Sequence, residues 1–598
     1  MMKQASKAVV VVVIVVWALI AHGLALLNDG VFWDGWLQWA AGRSGDWASM
    51  ERWWTDSALP AADVFHHGIM ASPWPFPLYR LVGFAGTLLP GLALAWIGHR
   101  AAGLGPVDSA LVGALGVTHR AATMTVGLVG VLYLACIGLF SIAAVLLFAS
   151  LQARLGARIV LRVVAAALLM MSFTTQSLLV LAYALPLGLA LAEVRRSPST
   201  PAWRTILVTG LRHAELVVLP PIYYFGAKKL WSTSGPVYTG YNSVDLKIET
   251  FIPLAQEYFT HGIKDAVVVG LAGLPAVLAV LLTLAVVAGA LWAQGKPTEP
   301  SRGAWGIVAV VVVVLVVGTA AAFPYIAVGK VPDTQPWNWR HALVAPVAVS
   351  TFGLGLLALS RGRHFIVRLL VVVPLVVILV GQAGASIDSH ALWLGRAAKD
   401  RGVIDHLKAI GKPKQVNVLW ITDRLPRPHG EVYRYYEWTG MFHEAWGKFG
   451  VMGLRDTGNV NPRHVKRQKY YLNRRFQIYG GHASLAIAPT FPANELADVG
   501  LSYARRRLVG DAAAYARSLV TVSITRRDPP EAYLDVVQRL GFDPTKVRRW
   551  TPEQLAAPPL QLGPPTTKRP PRVITQPKLF GRTPPPQEPD AQDEGAGD

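Results

Sequence analysis

Long apolar runs separated by short polar connections dominate the first two thirds of the chain. A helix needs roughly 20 apolar residues to cross a bilayer. Nine runs approach or exceed that length, at about 8–27, 77–98, 121–151, 163–192, 205–227, 266–295, 303–329, 342–360 and 369–387. The fifth run is interrupted by Arg212, His213 and Glu215, and the third and fourth are longer than one straight span requires. The pattern predicts a mainly α polytopic membrane protein.

The pattern changes after residue 387, where strand-like segments begin to alternate with helix-like ones. The predicted strands are Val416–Thr422, Ser484–Ala488 and Leu519–Ile524, and the predicted helices are Tyr433–Trp446 and Glu531–Leu540. Such alternation is typical of a small α/β domain. We therefore expect a membrane domain over 1–387 and an α/β domain over 388–552. Residues 553–598 are rich in Pro, Gln and Gly, and we predict that they are disordered.

The distribution of Lys and Arg among the loops predicts which side of the membrane each loop faces. With Lys3 and Lys7 in the cytoplasm, the loop 28–76 and the α/β domain lie outside. One loop disagrees, because Arg154, Arg158 and Arg162 would also lie outside. Three explanations stay open: a further short span between 99 and 120, a further short span around Thr174, or arginines that face an external anionic ligand. Usage rich in Ala, Val, Gly and Arg favours a bacterial inner membrane as the location.

Composition narrows the class of protein. The net charge is +21, although only 16% of residues are charged, against about 25% in soluble chains. The basic residues flank the spans, so the expected partner is anionic lipid rather than nucleic acid. The single cysteine, Cys136, excludes a disulfide within the chain and a cysteine metal site. Phosphate-binding loops and zinc-protease motifs are absent from the sequence, which disfavours a nucleotide-driven pump or a zinc protease.

The segment Asn-Asp-Gly-Val-Phe-Trp-Asp-Gly-Trp at 28–36 directly follows the first span. It places Asp29 and Asp34 where hydrocarbon meets water, and a charge there is costly unless it has a function or a partner. Asp34 is the stronger candidate for a general base that deprotonates an acceptor hydroxyl or amine. It is also a candidate ligand for a divalent cation such as Mg²⁺ or Mn²⁺, although no cofactor is certain. An interfacial aromatic belt explains the neighbouring tryptophans but not the acids.

Three further groups of residues are candidates for binding. His66 and His67 precede the second span and can contact phosphate, or belong to a plain loop-to-helix entry. Lys330, Arg340 and His341 sit in the loop before the eighth span, where a guanidinium suits a lipid phosphate and also suits ordinary snorkelling. Asp423 and Glu437 are candidates for acceptor binding. The alternative for these two is that their segment packs on the domain core.

An apolar helix, an acidic external loop and a His…Pro-Leu-Tyr entry into the second helix resemble the GT-C glycosyltransferases. The nearest in style are protein mannosyltransferases and the aminoarabinose transferases of lipid A. The resemblance implies a helical bundle and a polyprenyl-phosphate sugar donor. It further implies a catalytic aspartate in the first external loop, carried here by Asp34 or else Asp29, and a histidine at His66 or His67. The family's usual acidic pair is missing, and its His-Pro-Pro-Leu motif is present only in loosened form.

The resemblance therefore predicts an inverting transferase that acts on an external glycolipid, glycan or protein. A lipid or anionic-solute transporter is the first alternative, and it would need charges near the middle of the bilayer. A non-catalytic envelope scaffold is the second, and it would leave the Asp34 region without a pocket.

Overall fold

The computed structural model describes residues 2–197, 200–231, 247–273, 304–333, 336–361, 363–424, 433–447, 450–456, 460–467 and 478–562. Within these ranges six helices are long and apolar enough to cross a membrane, or eight if each of two bent helix pairs forms one span. A mainly α polytopic protein with a C-terminal sheet is therefore confirmed. The predicted run at 266–295 lies mostly outside the described residues, and so do the tail from 563 and the loop around Tyr241.

Seventeen α-helices precede the sheet in the described residues. The first helix and the loop after it form α1 (Met2–Leu26), α2 (Gly35–Ser44), α3 (Trp47–Asp56) and α4 (Pro60–Met70). Next come α5 (Pro75–Arg100), α6 (Pro106–Val117), α7 (Leu128–Ser150), α8 (Leu155–Ser172), α9 (Ser177–Ala182) and α10 (Ala184–Arg196). The last are α11 (Ala202–Arg212), α12 (Glu215–Leu230), α13 (Ile248–Phe259), α14 (Asp265–Gly273), α15 (Ala304–Ile326), α16 (Ala345–Ser360) and α17 (Phe365–Ile410).

Helices α5 and α7 run in the same direction, and this determines at which end of the bundle Arg154, Arg158 and Arg162 lie. Gly83 contacts Val131, and Gly138 contacts Leu89 further along both helices. The chain must therefore return between α5 and α7, and it does so through α6 and the 3₁₀ segment Arg120–Val126. Arg154, Arg158 and Arg162 consequently lie at the end of the bundle opposite the α/β domain.

Two of the open explanations for these arginines are therefore correct together. A further apolar helix does lie between 99 and 120, and the run predicted as one span at 163–192 breaks into α8 and α9–α10 around Thr174. The arginines lie at the other end of the helices from Asp34, so they do not share a site with it, and an anionic ligand for them stays a prediction. The end of the helical bundle that carries the α/β domain is the domain end, and the other end of the bundle is the opposite end.

Helix α17 joins the bundle to the α/β domain without a break. Its 46 residues span about 70 Å at 1.5 Å per residue, more than twice the thickness of a hydrocarbon core. The predicted boundary at 387 therefore falls inside a continuous helix. The second half of α17 is buried against the domain, so the membrane part and the domain share one rigid element.

The α/β domain is built on a five-stranded sheet in the order β2-β1-β3-β4-β5. Its strands are β1 (Val416–Asp423), β2 (Met452–Arg455), β3 (Gly481–Pro489), β4 (Val520–Arg527) and β5 (Leu560–Leu562). Its helices are α18 (Tyr435–Trp446), α19 (Pro462–Arg467), α20 (Leu496–Val509), α21 (Ala512–Ser518), α22 (Glu531–Arg539) and α23 (Pro552–Leu555). Strand β1 is parallel to β2 and β3, whereas β4 is antiparallel to β3 and β5.

The three predicted strands and two predicted helices of this domain are present within a few residues of their expected bounds. The start of the predicted tail is wrong, because residues 552–562 form α23 and the edge strand β5. Leu562 pairs with Val522 of β4, which extends the sheet by one strand. Strand β5 was not predicted because its three residues are too few to give a recognisable alternation within a proline-rich segment.

The first loop and the α/β domain share one hydrophobic core. Trp36 and Trp39 of α2 are buried together with Trp438 and Phe442 of α18. The two helices approach closely because Gly440 of α18 faces Trp36, where a Cβ atom would lie 2.8 Å from the indole. The acidic loop after α1 is therefore folded against the domain rather than exposed as a free loop.

Candidate functional site

The backbone of the acidic segment is held by one buried arginine, Arg80 on α5. Its Nε donates to the Asn28 carbonyl and its Nη2 to the Gly30 carbonyl, each at 2.7 Å. Its Nη1 donates to the Thr125 and Val126 carbonyls at 2.8 and 2.7 Å. A planar fork of donors suits such a set of carbonyls. Arg80 therefore fixes the turn that carries Asp29 and Asp34 against the 3₁₀ segment before α7.

Trp33 has a backbone conformation that is rare for a bulky residue. Its φ is +51°, and its side chain is almost fully buried. The left-handed region costs a non-glycine residue about 1–3 kcal/mol, which the surroundings must offset. Here the Trp33 N–H donates to Glu437 Oε1 at 3.1 Å, and the ring packs on Trp337 and Trp393 with centroids 5.1 and 4.5 Å away. The strained residue lies directly before Asp34.

Asp34 is the residue before α2, and its side chain makes no hydrogen bond to the helix it precedes. Instead the half-buried carboxylate accepts a hydrogen bond from the Tyr436 hydroxyl, and the Arg434 guanidinium lies near both groups. Burial raises the pKa of Tyr436 well above its usual value, and the charge of Asp34 raises it further. Tyr436 is therefore a permanent donor, which orients Asp34 and leaves other lone pairs of the carboxylate for a substrate.

Asp29 lies in a different environment from Asp34. Its carboxylate accepts hydrogen bonds from the Tyr503 hydroxyl at 3.1 and 3.3 Å and forms an ion pair with Arg507, both on α20. The side chain is 29% exposed. Asp29 thus ties the end of α1 to the α/β domain, an arrangement that suits a structural ion pair better than a base. Its catalytic role stays a prediction.

Two arginines stack on tryptophans of the 3₁₀ segment Pro336–Ala342, which packs on Trp33 through Trp337. Arg340 stacks on Trp337 at 4.2 Å and donates to the Trp337 carbonyl at 2.7 Å, and Trp337 itself packs on Trp33. Arg120 stacks on Trp339 at 3.6 Å in the same 3₁₀ segment, Pro336–Ala342. The structure therefore connects the predicted Arg340, through the Trp337 ring, to Trp33, the residue before Asp34. The sequence did not single out Arg120, because its positive charge belongs to no recognisable motif.

Lys330 and His341 lie just beyond Arg340. The His341 Nδ1 is 3.3 Å from the Val331 carbonyl, the ring packs on Tyr325, and the charge of Lys330 acts on the imidazole. His341 is buried, so a ligand reaches it only through the partly exposed Arg340 and Lys330. Phosphate binding by these residues stays a prediction.

The two histidines before α5 pack against side chains of α2, α3 and α5. His66 is fully buried, with its Nδ1 2.7 Å from Gln38 Nε2 and 3.0 Å from the Tyr79 hydroxyl. Burial lowers the pKa of His66 to about 3, so the ring is neutral at physiological pH. His67 is exposed and stacks on Trp47 at 4.0 Å. Both belong to the packing of α2, α3 and α4, and a role in donor binding stays a prediction.

Asp423 and Glu437, the predicted acceptor ligands, take part in a buried charge network along α17. Lys399 Nζ lies 3.1 Å from Asp423 and 3.3 Å from Asp400, and Glu437 forms an ion pair with Arg396. The Asp423 and Glu437 side chains are both 1% exposed. These carboxylates therefore have intramolecular partners, and their role in acceptor binding stays a prediction.

Glu437 is the residue of this network that reaches Asp34. Its Oε1 accepts from the Trp33 N–H and its Oε2 from the Arg434 N–H, at 3.1 and 2.8 Å. These bonds hold Trp33, the residue before Asp34, and Arg434, two residues before Tyr436. The sequence showed Glu437 only as one acid in an aromatic helix, since its partner Trp33 lies 404 residues away along the chain and Arg396 lies 41 residues away.

Metal binding is not supported by a preformed cluster in the ranges that the structure describes. No group of three or more His, Cys, Asp or Glu side chains there is arranged to hold an ion. Asp34 is thus a single candidate ligand, and the divalent cation stays a prediction.

The fold and site together define a polytopic helical membrane protein with an α/β domain, in which a tyrosine-bound aspartate lies at the domain end. No family model matches the chain, and no curated protein matches it. Two solved structures resemble it, both of ArnT from Cupriavidus metallidurans, a GT-C glycosyltransferase. The one bound to undecaprenyl phosphate is 13% identical with a TM-score of 0.35, and the apo form is 12% identical with a TM-score of 0.30. Each match covers 82% of this chain and 94% of the other.

Proposed function

We propose that this protein is a membrane glycosyltransferase that moves a sugar from a polyprenyl-phosphate donor to an external acceptor. The observation that carries the proposal is the arrangement at the domain end. A half-buried carboxylate, Asp34, is oriented by Tyr436, and a guanidinium, Arg340, lies across the Trp33–Trp337 contact. A carboxylate that can act as a base and a guanidinium that can bind phosphate, linked through the Trp33 and Trp337 rings, would supply the two groups that this reaction needs.

In the proposed reaction a hydroxyl or amine of the acceptor attacks the anomeric carbon of the donor sugar. Asp34 takes the proton of the nucleophile as the new bond forms. The bond between the anomeric carbon and the phosphate oxygen breaks, and its electron pair leaves with the polyprenyl phosphate. Arg340 and Lys330 stabilise the charge that grows on that phosphate. Inversion at the anomeric carbon follows from direct displacement.

The membrane surface explains why the reactants meet at this place. A polyprenyl phosphate holds its charge at the headgroup level while its tail remains in the bilayer. Asp34 follows α1 by eight residues, and Arg340 lies just before α16, so both are at the boundary where that phosphate resides. We propose a bacterial inner membrane as the location, with the α/β domain on the outer side and a glycolipid or glycan as the acceptor.

Purified wild-type protein in proteoliposomes tests the proposal against the transporter alternative. Labelled polyprenyl-phosphate sugars and envelope glycolipids are supplied, and product formation and transbilayer movement of label are measured together. We expect a glycosylated acceptor and free polyprenyl phosphate. Movement of label without product would support a transporter, and neither product nor movement would support a scaffold.

A further inference from the structure

An apolar groove lies at the opposite end of the bundle, away from Asp34. It is formed by α1, α5, α7 and the first turn of α6 and has a cavity volume of about 390 Å³, within the roughly 300–1,000 Å³ of ligand sites. Val10, Ile14, Leu92, Trp96 and Val145 are among the residues that line it. The lining is almost wholly apolar, which suits a hydrocarbon chain.

The length of the groove corresponds to one leaflet. Its lining on α5 runs from Leu89 to Arg100, which is about 17 Å along a helix. Half of a hydrocarbon core is about 15 Å thick. The groove therefore begins near the middle of α5 and ends where that helix leaves the membrane, as an acyl chain does.

Basic side chains surround the outer end of the groove. His99 and the exposed Arg100 line it, and the His99 Nδ1 donates to the Leu104 carbonyl at 3.0 Å, which fixes the ring. The turn that follows is contacted by Arg195 and by Arg361, which donates to the Gly103 carbonyl. Basic pockets between helix ends suit anionic lipid headgroups.

We propose that this groove binds an anionic phospholipid of the leaflet at the opposite end, with one acyl chain along α5 and its phosphate at Arg100 and His99. Charge complementarity at the rim and the leaflet-length apolar lining both favour this occupant. The site is separate from the proposed active site, so the inference does not depend on the proposed function.

Native mass spectrometry of the delipidated full-length protein tests the site, with phosphatidylglycerol and phosphatidylcholine as probes. We expect phosphatidylglycerol to bind more tightly, and Arg100→Gln to reduce that preference about fivefold, the effect of one basic residue at a lipid surface. Val145→Phe should reduce binding of both lipids because it fills the groove. The matched controls are Arg204→Gln, an exposed arginine at the same end, and Val160→Phe, an exposed apolar residue of α8.

Equal binding of the two lipids by the wild type would overturn the proposal, and so would groove variants that behave like the controls. A dimer that Val145→Phe dissociates would show that a second copy of the chain occupies the groove instead. Thermal unfolding of each variant, measured in parallel, separates lost binding from lost folding.

Discussion

At the scale of single residues, the geometry of Asp34 depends on groups far away in sequence. Trp33 is held in a left-handed conformation by Glu437, and Tyr436 bonds the carboxylate itself. Glu437 in turn pairs with the fully buried Arg396. Removing one partner of a buried ion pair leaves the other charge without compensation.

Because Arg396 keeps Asp400 at 3.7 Å, we predict that Glu437→Gln destabilises the protein by about 1–3 kcal/mol and displaces Trp33. Thermal unfolding and near-ultraviolet circular dichroism of the tryptophan cluster measure the two effects. Glu531→Gln, at an exposed acid of α22, serves as the control. Wild-type stability in Glu437→Gln would show that the buried pair does not hold the loop.

A second prediction at this scale concerns acid stability through His482 of β3. Burial, and then the charge of Arg527, lowers the pKa of His482 to about 3, while its value in the unfolded chain is about 6.5. The neutral Nδ1 accepts from Trp420 Nε1 at 3.0 Å. Because the unfolded state binds the proton more readily, the stabilisation is complete above about pH 6.5 and is lost as the pH falls towards about 3.

Thermal unfolding as a function of pH measures this loss. His482→Gln should reduce the loss of stability at acidic pH, since glutamine does not titrate. The control is His67→Gln, at an exposed histidine, which should leave the loss at acidic pH unchanged. An identical loss at acidic pH in wild type and His482→Gln would contradict the prediction.

The sequence showed Asp34 because a carboxylate next to a bilayer span is costly and therefore conspicuous. It did not show Arg80, whose position at the start of a span looks like that of any snorkelling arginine. It also did not show that Asp29, Asp423 and Glu437 have buried partners. Those partners come from distant segments, and only the folded chain reveals which charges neutralise one another.

At the scale of elements, the contact between α2 and α18 joins the loop to the domain. Gly440 permits that contact, because any Cβ there meets the Trp36 side chain. Strand positions were predictable from alternation, and the apolar helices from their length. The return through α6 appeared only as one open explanation of the misplaced arginines, since 12 residues are too few to be recognised as a span by themselves.

Gly440→Ala tests the importance of this contact. We expect it to destabilise the protein by about 1–3 kcal/mol, because the added methyl group separates α2 from α18. Gly68→Ala on α4, where a Cβ has open space, should instead stabilise by about 0.5–1 kcal/mol. Similar melting temperatures for the two variants would mean that the helices separate without cost.

At the scale of the whole molecule, the parallel course of α5 and α7 determines which loops share a side. It places Gly156 at the end opposite the α/β domain, although a nine-span count had put that loop with the domain. The positive-inside rule then holds for every loop considered, because Arg154, Arg158 and Arg162 join Arg195 and Arg361 at one end.

Cysteine labelling in a Cys136→Ala background tests this topology. A membrane-impermeant maleimide added to intact cells should label Asp535→Cys in α22 and should label Gly156→Cys only after permeabilisation. Labelling of both positions in intact cells would contradict the return through α6. Equal labelling of both after permeabilisation is the control for access.

The central claim is that Asp34 is the base of a sugar transfer, and the most direct measurement is the single-turnover rate of Asp34→Asn. The substitution keeps the size of the side chain and the contact with Tyr436 but removes the proton acceptor. With saturating donor and acceptor, we predict a rate at least about 100-fold below that of wild type, with unchanged donor binding, while Glu51→Gln remains fully active. A rate within a few-fold of wild type would contradict the claim.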